Sequence, residues 1–395
     1  MWTSDSSIVQ ELLTKQLYQL DNLDRDIAHA QIRLKHLFAQ HAKRTAHITK
    51  LRAVLAPQRK LPPELWKAVF LLCSGEDLTL LLPPWRGTCP WTISQVCSRW
   101  RQIALNEPRL WNKVVVHNTT FSSLSVGTMT EMIREVISRS NGTPISLTGS
   151  WETGFGILKD EMLEIILLHL GHIRRISIWL PEQLLYPLLH SPQCSASVLE
   201  SIDLDIGSEI QSESIIADHT AWQHTALFLG PSLRKVVISC MPHRHSEFSV
   251  NPPMLPLAQL TSLSLPDFPF TCATAHSILC QSICLVDWTL RLAKDTERFA
   301  HQPAQQLVST TLQSINISSV TDSNLTHFLD PLTLPSLKIF HSDCTSAPQL
   351  PLISLIRRSS CSIQEINHYT QMGLELTPTI DETLLQEIPN LVKQH

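Results

Sequence analysis

A short apolar pattern that returns about every 27 residues constrains this chain more than any other feature. Apolar-x-x-apolar-x-apolar occurs at Ile173, Ile176, Ile178; Leu199, Ile202, Leu204; Leu233, Val236, Ile238; and Leu260, Leu263, Leu265. It continues at Leu285, Trp288, Leu290; Leu312, Ile315, Ile317; Leu334, Leu337, Ile339; and degenerately at Ile363, Ile366. With 43% apolar residues, chance alone yields the pattern at about 8% of positions, so the spacing carries the signal. The starts run from 173 to 363 in seven steps, and one step, from 199 to 233, is longer than the rest. Helices are predicted between the strands at Asp160–Leu170, Thr271–Ile283, Asp295–Val308 and Leu352–Arg358.

One strand and one helix per unit cannot bury their own apolar faces, so neighbouring units must stack. A period near 27 lies inside the roughly 20–29 residues of leucine-rich repeats. The expected fold class is therefore α/β, with an irregular leucine-rich-repeat solenoid over residues 117–395 and a parallel sheet on its concave side. Residues beside the core positions of each strand then point outward along the pleat. This face includes Arg175, Trp179, Asp203, Asp205, Lys235, Asp287, Arg291, Asn316, Lys338 and Phe340, which mix charges with two aromatic rings and hold no catalytic grouping. It reads either as a protein-recognition face or as a solvated sheet. Near the end, Ile388-Pro389-Asn390-Leu391-Val392 looks like Leu334-Pro335-Ser336-Leu337-Lys338, as in a chain that stops within a repeat.

The N-terminal residues 1–56 follow a different period. With Leu13 at heptad position a, the a sites are Leu13, Leu20, Ile27, Leu34, His41, Ile48 and Leu55; the d sites are Gln16, Leu23, Ala30, Leu37, Arg44 and Leu51. No Pro or Gly interrupts Ser4 to Ala56, and Pro57 stops the helix. The polar His41 and Arg44 fall in one turn, marking a local break or a register-setting site. Residues 1–30 carry five acids and two bases, whereas 31–60 carry eight bases and no acid. The expected element is one long amphipathic helix that self-associates or folds back on the body. A basic helix could also lie on nucleic acid or an anionic membrane, but it has no aromatic-rich apolar face and no DNA-reading fold, which favours a solvated coiled-coil face.

Residues 57–116 form a compact helical segment. Pro62 and Pro63 suit a helix start, Leu61, Leu65, Val69 and Leu72 follow at helical spacing, and Trp66 and Phe70 begin a second apolar face. After a Gly- and Pro-bearing loop, Ser74 to Pro90, a second helical run aligns Ile93, Val96, Cys97, Trp100 and Ile103. This is more large apolar surface than so short a segment can bury alone.

The stretches Leu61-Pro62-Pro63-Glu64-Leu65-Trp66, Val96-Cys97-Ser98-Arg99-Trp100 and Pro108-Arg109-Leu110-Trp111 resemble the F-box. They look like the variety abundant in mushroom-type fungi, which places a basic coiled-coil arm before the F-box and irregular leucine-rich repeats after it. That resemblance implies an adaptor: the F-box docks onto a Skp-type linker of a cullin-RING ubiquitin ligase while the repeats hold a protein substrate. Carried over by position, the linker contacts are Leu61, Pro62, Leu65, Val69, Val96, Cys97, Trp100, Leu110 and Trp111. The bland alternative is that these side chains fill the segment's own core, as Val96 and Ile103 are expected to do.

Enzyme chemistry finds little footing. Gly is only 11 of 395 residues, and there is no G-x-S-x-G, no H-E-x-x-H and no G-x-x-x-x-G-K-[ST]. No cofactor, metal or catalytic residue is expected. Cys272, His276, Cys280 and Cys284 stand four apart, but on a helix they form a row about 18 Å long that cannot converge on one ion; they read as a small-residue face buried against the sheet. His243 and His245 read as a polar loop. The ten cysteines lack paired short spacings and read as reduced, mostly buried thiols. No leader or apolar run of bilayer length is present, so the expected home is the cytoplasm or nucleus, without membrane partners. Two competing classes remain, a nucleic-acid or chromatin-associated protein using Arg33 to Lys60 and a repeat protein with a degraded hydrolase site.

Overall fold

The computed structural model describes residues 3–55, 60–73, 80–82, 90–117, 126–150, 160–181, 188, 196–207, 226–240, 254–293, 306–319, 322–343 and 349–369. It is mixed α/β, with a long N-terminal helix and a large parallel sheet. It divides into two compact units, Met1–Trp66 and Lys67–His395.

The first unit is dominated by α1 (Thr3–Leu55), 53 residues without a break, roughly 80 Å of helix. The turn around His41 and Arg44 stays helical, which removes the local-break reading. Along its surface Arg25 pairs with Asp21 four residues back, and the Thr14 and Thr49 hydroxyls donate to the carbonyls of Gln10 and Thr45 at 2.8 and 2.9 Å. The heptad seam lies open: Leu13, Leu20, Leu23, Ile27, Leu34, Leu37, Ile48 and Leu51 are each between 49 and 58% exposed. Helix α2 (Pro63–Cys73) starts at the expected proline, which has no N–H to lose at a helix's first position.

The second unit is built on an eleven-stranded sheet in which every pairing is parallel. Its strands are β1 (Leu80–Leu82), β2 (Lys113–His117), β3 (Ile145–Ser150), β4 (Ile173–Pro181), β5 (Ser201–Gly207) and β6 (Lys235–Cys240). They continue with β7 (Ser262–Phe270), β8 (Asp287–Leu292), β10 (Ser314–Ser319), β12 (Ile339–Asp343) and β13 (Glu365–Tyr369), after which a separate pair joins β9 (Leu307–Val308) to β11 (Leu332–Thr333). The strand order follows the sequence throughout. Helices α3 (Trp91–Val96) and α4 (Ser98–Leu105) precede β2; α5 (Val126–Arg139) and α6 (Asp160–Leu168) pack together, as do α7 (Cys272–Gln281), α8 (Asp322–Leu329) and α9 (Gln349–Ser359) in succession.

The recurring pattern sets the register. Ile176, Ile202, Val236, Leu263, Trp288 and Ile315 face one another across six adjacent strands, and all are buried, each contributing about 1.5–3 kcal/mol by leaving water. Just before the strands a backbone ladder repeats the same period. The N–H groups of Glu200, Thr261, Val286, Gln313, Lys338 and Gln364 donate to the carbonyls of Arg174, Arg234, Thr261, Val286, Gln313 and Lys338 at 2.7–2.8 Å. Gly230 is required by this stacking, because a Cβ there would lie 2.7 Å from the Ala196 carbonyl oxygen. The turn from α5 into β3 needs a left-handed pair, Asn141 and Gly142, at φ 47° and 78°.

Several expectations change. The sheet takes β1 from within the Ser74–Pro90 loop and β2 from Lys113 onward, ahead of the boundary drawn at 117. Of the helix expected at Asp295–Val308, the last two residues are the strand β9, and residues 295–305 lie outside the described residues. So do His243, His245 and the repeat-like Ile388–Val392.

The register of β12 is also corrected. Phe340, not Ile339, pairs with Ile315, and Ser342 with Ile317, so the unit starts at Leu337 rather than Leu334. A slip of three residues is odd, and an odd slip exchanges the two faces of a strand. Phe340 is therefore wholly buried, and Lys338 precedes the strand instead of lying on its face. The corrected starts at 312, 337 and 363 are more even than those in the sequence reading.

Candidate docking and recognition surfaces

The helices ahead of the sheet separate their apolar residues into two sets. On α2, Trp66 and Phe70 are buried, whereas Leu65 (51% exposed), Val69 (37%) and Leu72 (81%) form an open row at helical spacing. Phe70 meets Trp100 of α4 edge to face, with ring centroids 5.1 Å apart. Between α3 and α4 the extended Cys97 acts as helix cap, its Sγ accepting the Trp100 N–H at 3.5 Å. Arg101 ties the corner together by donating from Nε to the Ser94 carbonyl at 2.8 Å. Val96, expected to fill the core, is instead 57% exposed, and Cys97 is exposed beside it. Ile103 is buried as expected.

Leu110 and Trp111 depart from the sequence reading. Both are buried in the chain's own interior. The Trp111 indole N–H donates to the Ala104 carbonyl at 2.8 Å, its ring meets Trp91 edge to face at 5.2 Å, and the Arg139 guanidinium lies 4.5 Å from its centroid. Trp111 thus anchors the helical corner to α5 and to the first long strand, and as placed neither residue is open to a partner.

Glu107 fixes the turn between α4 and β2. Its buried carboxylate accepts from Arg109 at 2.6 Å and lies 3.7 Å from the Lys67 ammonium. Burial pushes its pKa up, but the Arg109 hydrogen bond and charge, with Lys67, outweigh this and hold it below the usual carboxylate range. A depressed folded pKa stabilises the fold above the ordinary carboxylate range, and that stability is lost as pH falls through the depressed value. Glu107→Gln should therefore lower the urea midpoint at pH 7, with the gap to wild type closing in acid. A gap that stayed constant down to pH 3 would contradict this ion pair.

The outward face of the sheet is ordered by the register. Lys113, Ser146, Arg175, Ser201, Lys235, Ser262 and Asp287 lie in one row across β2 to β8, so a base occupies every second strand from β2 to β6. At about 4.8 Å between strands the three bases stand roughly 10 Å apart. Arg175, Asp203 and Lys235, expected on this face, line a shallow depression of about 260 Å³ together with Lys113, Ser177 and Ser201. The Ser177 hydroxyl donates to Asp203 at 3.2 Å, and the Ser239 hydroxyl to Asp205 at 3.4 Å. Burial raises the Asp205 pKa; the Ser239 hydrogen bond opposes this, and the charges of Asp203 and Asp267 add to it. Asp267, which the sequence reading did not single out, accepts the Cys240 N–H at 2.8 Å and is likewise raised by burial.

Trp179, Asp287, Arg291 and Asn316 are also on the outward side, half-buried or exposed. Phe340 and Lys338 leave the face by the register correction above, and Ile339, His341 and Asp343 take their places on it.

The cysteine row does not bury as a unit. Cys272 is buried, its Sγ on the Asn324 carbonyl at 3.5 Å, and the His276 ring stacks on Phe328 with Nε2 at 2.9 Å from that residue's carbonyl. These contacts are to the neighbouring helix α8, and Cys280 and Cys284 are exposed. More broadly, the seven described cysteines are all free, and only Cys272 is fully buried, against the expectation of mostly buried thiols. Among the described residues no group of three or more His, Cys, Asp or Glu side chains is placed to hold a metal ion, and no helix is long and apolar enough to cross a membrane.

No protein-family model matches the chain, and no curated protein matches it.

Proposed function

We propose that this chain is a non-enzymatic substrate-receptor subunit of a cullin-RING ubiquitin ligase, working in the cytoplasm or nucleus. In this reading α2 to α4 are an F-box that docks a Skp-type linker, and the parallel sheet with its helices is a leucine-rich-repeat solenoid that holds a protein substrate. The observation that carries it is the open apolar row Leu65, Val69 and Leu72, with Val96, on helices whose other faces bury Phe70 and Ile103. Exposed apolar side chains on short helices suit a helix-groove interface, where desolvation of a few central anchors supplies most of the affinity. The contacts proposed for the linker are accordingly Leu61, Pro62, Leu65, Val69, Val96, Cys97 and Trp100, without Leu110 and Trp111.

For the substrate, the alternation of Lys113, Arg175 and Lys235 with serines favours an acidic segment over β2 to β6. The reading is tested by a pull-down with purified Skp-type linker, which the wild-type chain retains and the Leu65→Asp and Trp100→Ala variants lose. A steep salt-dependent shift of DNA or RNA that vanishes when residues 1–56 are deleted would support the nucleic-acid reading instead.

A further inference from the structure

We propose that α1 docks onto α1 of a second copy of this chain as an antiparallel coiled coil, in the register where facing seam residues have numbers summing to 57. This rests on the helix itself and does not depend on the adaptor reading.

The helix is unbroken from Thr3 to Leu55 and its seam is open along its length, so an occupant must match about seven heptads. Charge selects the direction. The N-terminal half is acidic and the following half strongly basic. A parallel pair would lay base along base and stack Arg44 on Arg44 within the seam, whereas an antiparallel pair sets each acidic half against a basic one.

The polar seam residues select the register. Between Leu13 and Leu55 only Gln16, His41 and Arg44 interrupt the apolar a and d sites; before Leu13 the seam holds Val9 and the small polar Ser6. With facing numbers summing to 57, the two copies overlap almost completely, and Gln16 of one copy meets His41 of the other, so two of the three polar residues satisfy each other. Arg44 lies against Leu13, its stem on the apolar seam and its head free to reach water. The layers from there to the dyad are apolar, Leu20 with Leu37, Leu23 with Leu34, and Ile27 with Ala30, and toward the ends Val9 meets Ile48 and the small Ser6 meets Leu51. Shifting by one heptad in either direction leaves all three polar residues opposite apolar or small ones.

The flanks agree. In this register Asp26 of each copy meets Arg33 of the other on one side of the seam, and on the other side Leu17 meets Phe38, which are 56 and 65% exposed in the single chain. Gln19 meets Gln40 as a polar pair. In the parallel alternative Arg33 would face Phe38, and His47 would face Arg52.

The test uses the full chain. Sedimentation should give twice the 44.6 kDa chain mass at micromolar concentration. Asp26→Arg and Arg33→Asp, each alone, should weaken the dimer by roughly tenfold, since each disturbs two symmetric pairs, and the double exchange should restore it to near wild type. A benzoylphenylalanine photocrosslinker at position 19, in a mixture of isotope-labelled and unlabelled chains, should join to residues near 40 of the other copy. A monomer, crosslinks between like-numbered segments, crosslinks within one chain to its own residues beyond 66, or a double exchange no better than the singles would each overturn the proposal.

Discussion

Asp in place of Leu65 or Val96 is expected to weaken the complex with a Skp-type linker by at least about a hundredfold, leaving the thermal midpoint of the isolated chain nearly unchanged. Both side chains are more than half open to solvent, so in the free protein a carboxylate there stays hydrated and costs little. In the proposed complex the same carboxylate would be buried without a partner, at a cost of several kcal/mol. Leu110→Ala and Trp111→Ala should behave in the opposite sense. Both side chains are buried, so their removal should lower the folding midpoint, with large-to-small losses of roughly 2–5 kcal/mol. Titrating all four variants against the linker, beside their thermal melts, separates a docking surface from a core. If Leu65→Asp and Val96→Asp instead unfolded the protein, these residues would be structural.

The second large effect concerns the register of β12. Phe340→Ala is expected to cost about 3–5 kcal/mol of stability, the range for a fully buried aromatic, while Ile339→Ala one residue earlier should cost less than about 1 kcal/mol. The contrast follows from pairing Phe340 with Ile315 on one side and with Ile366 on the other. In the alternative register, with Leu334, Leu337 and Ile339 inward, the two costs would be exchanged. Urea midpoints of the two variants decide between them, and a larger loss at Ile339 would contradict the strand alignment.

How far the sequence revealed this arrangement depended on whether apolar residues occupied every core site. From β4 to β10 they do, and the pattern Ile173 to Ile317 predicted the inward positions residue by residue. At β12 the third core site is Ser342, buried despite its hydroxyl, and the stray match at Leu334 drew the pattern three residues early. The N-terminal end of the sheet carries the same signal: Trp111, Val114 and Val116 obey the same spacing and are all buried. Because Trp111 also closes the resemblance-bearing segment, it drew a docking role that its burial in the sheet's first long unit removes.

At β3 the corresponding site is Gly149, paired with Val116 and Ile178, so the apolar signal was reduced to Ile145 and Leu147. Val96 and Ile103 show the limit of helical spacing. The two lie on one predicted side, but the extended Cys97 interrupts the helix between them, so a single wheel could not order both. The charge ladder of Lys113, Arg175 and Lys235 depends on pairings between strands tens of residues apart, which no local pattern contains.

The most direct test of the adaptor account is a calorimetric titration of the full-length wild-type chain with a purified Skp-type linker at several temperatures. The account predicts saturable binding of one linker per chain, with the negative heat-capacity change of buried apolar surface. Absence of saturable binding between a folded chain and a folded linker, at concentrations reaching about 100 μM, would contradict it.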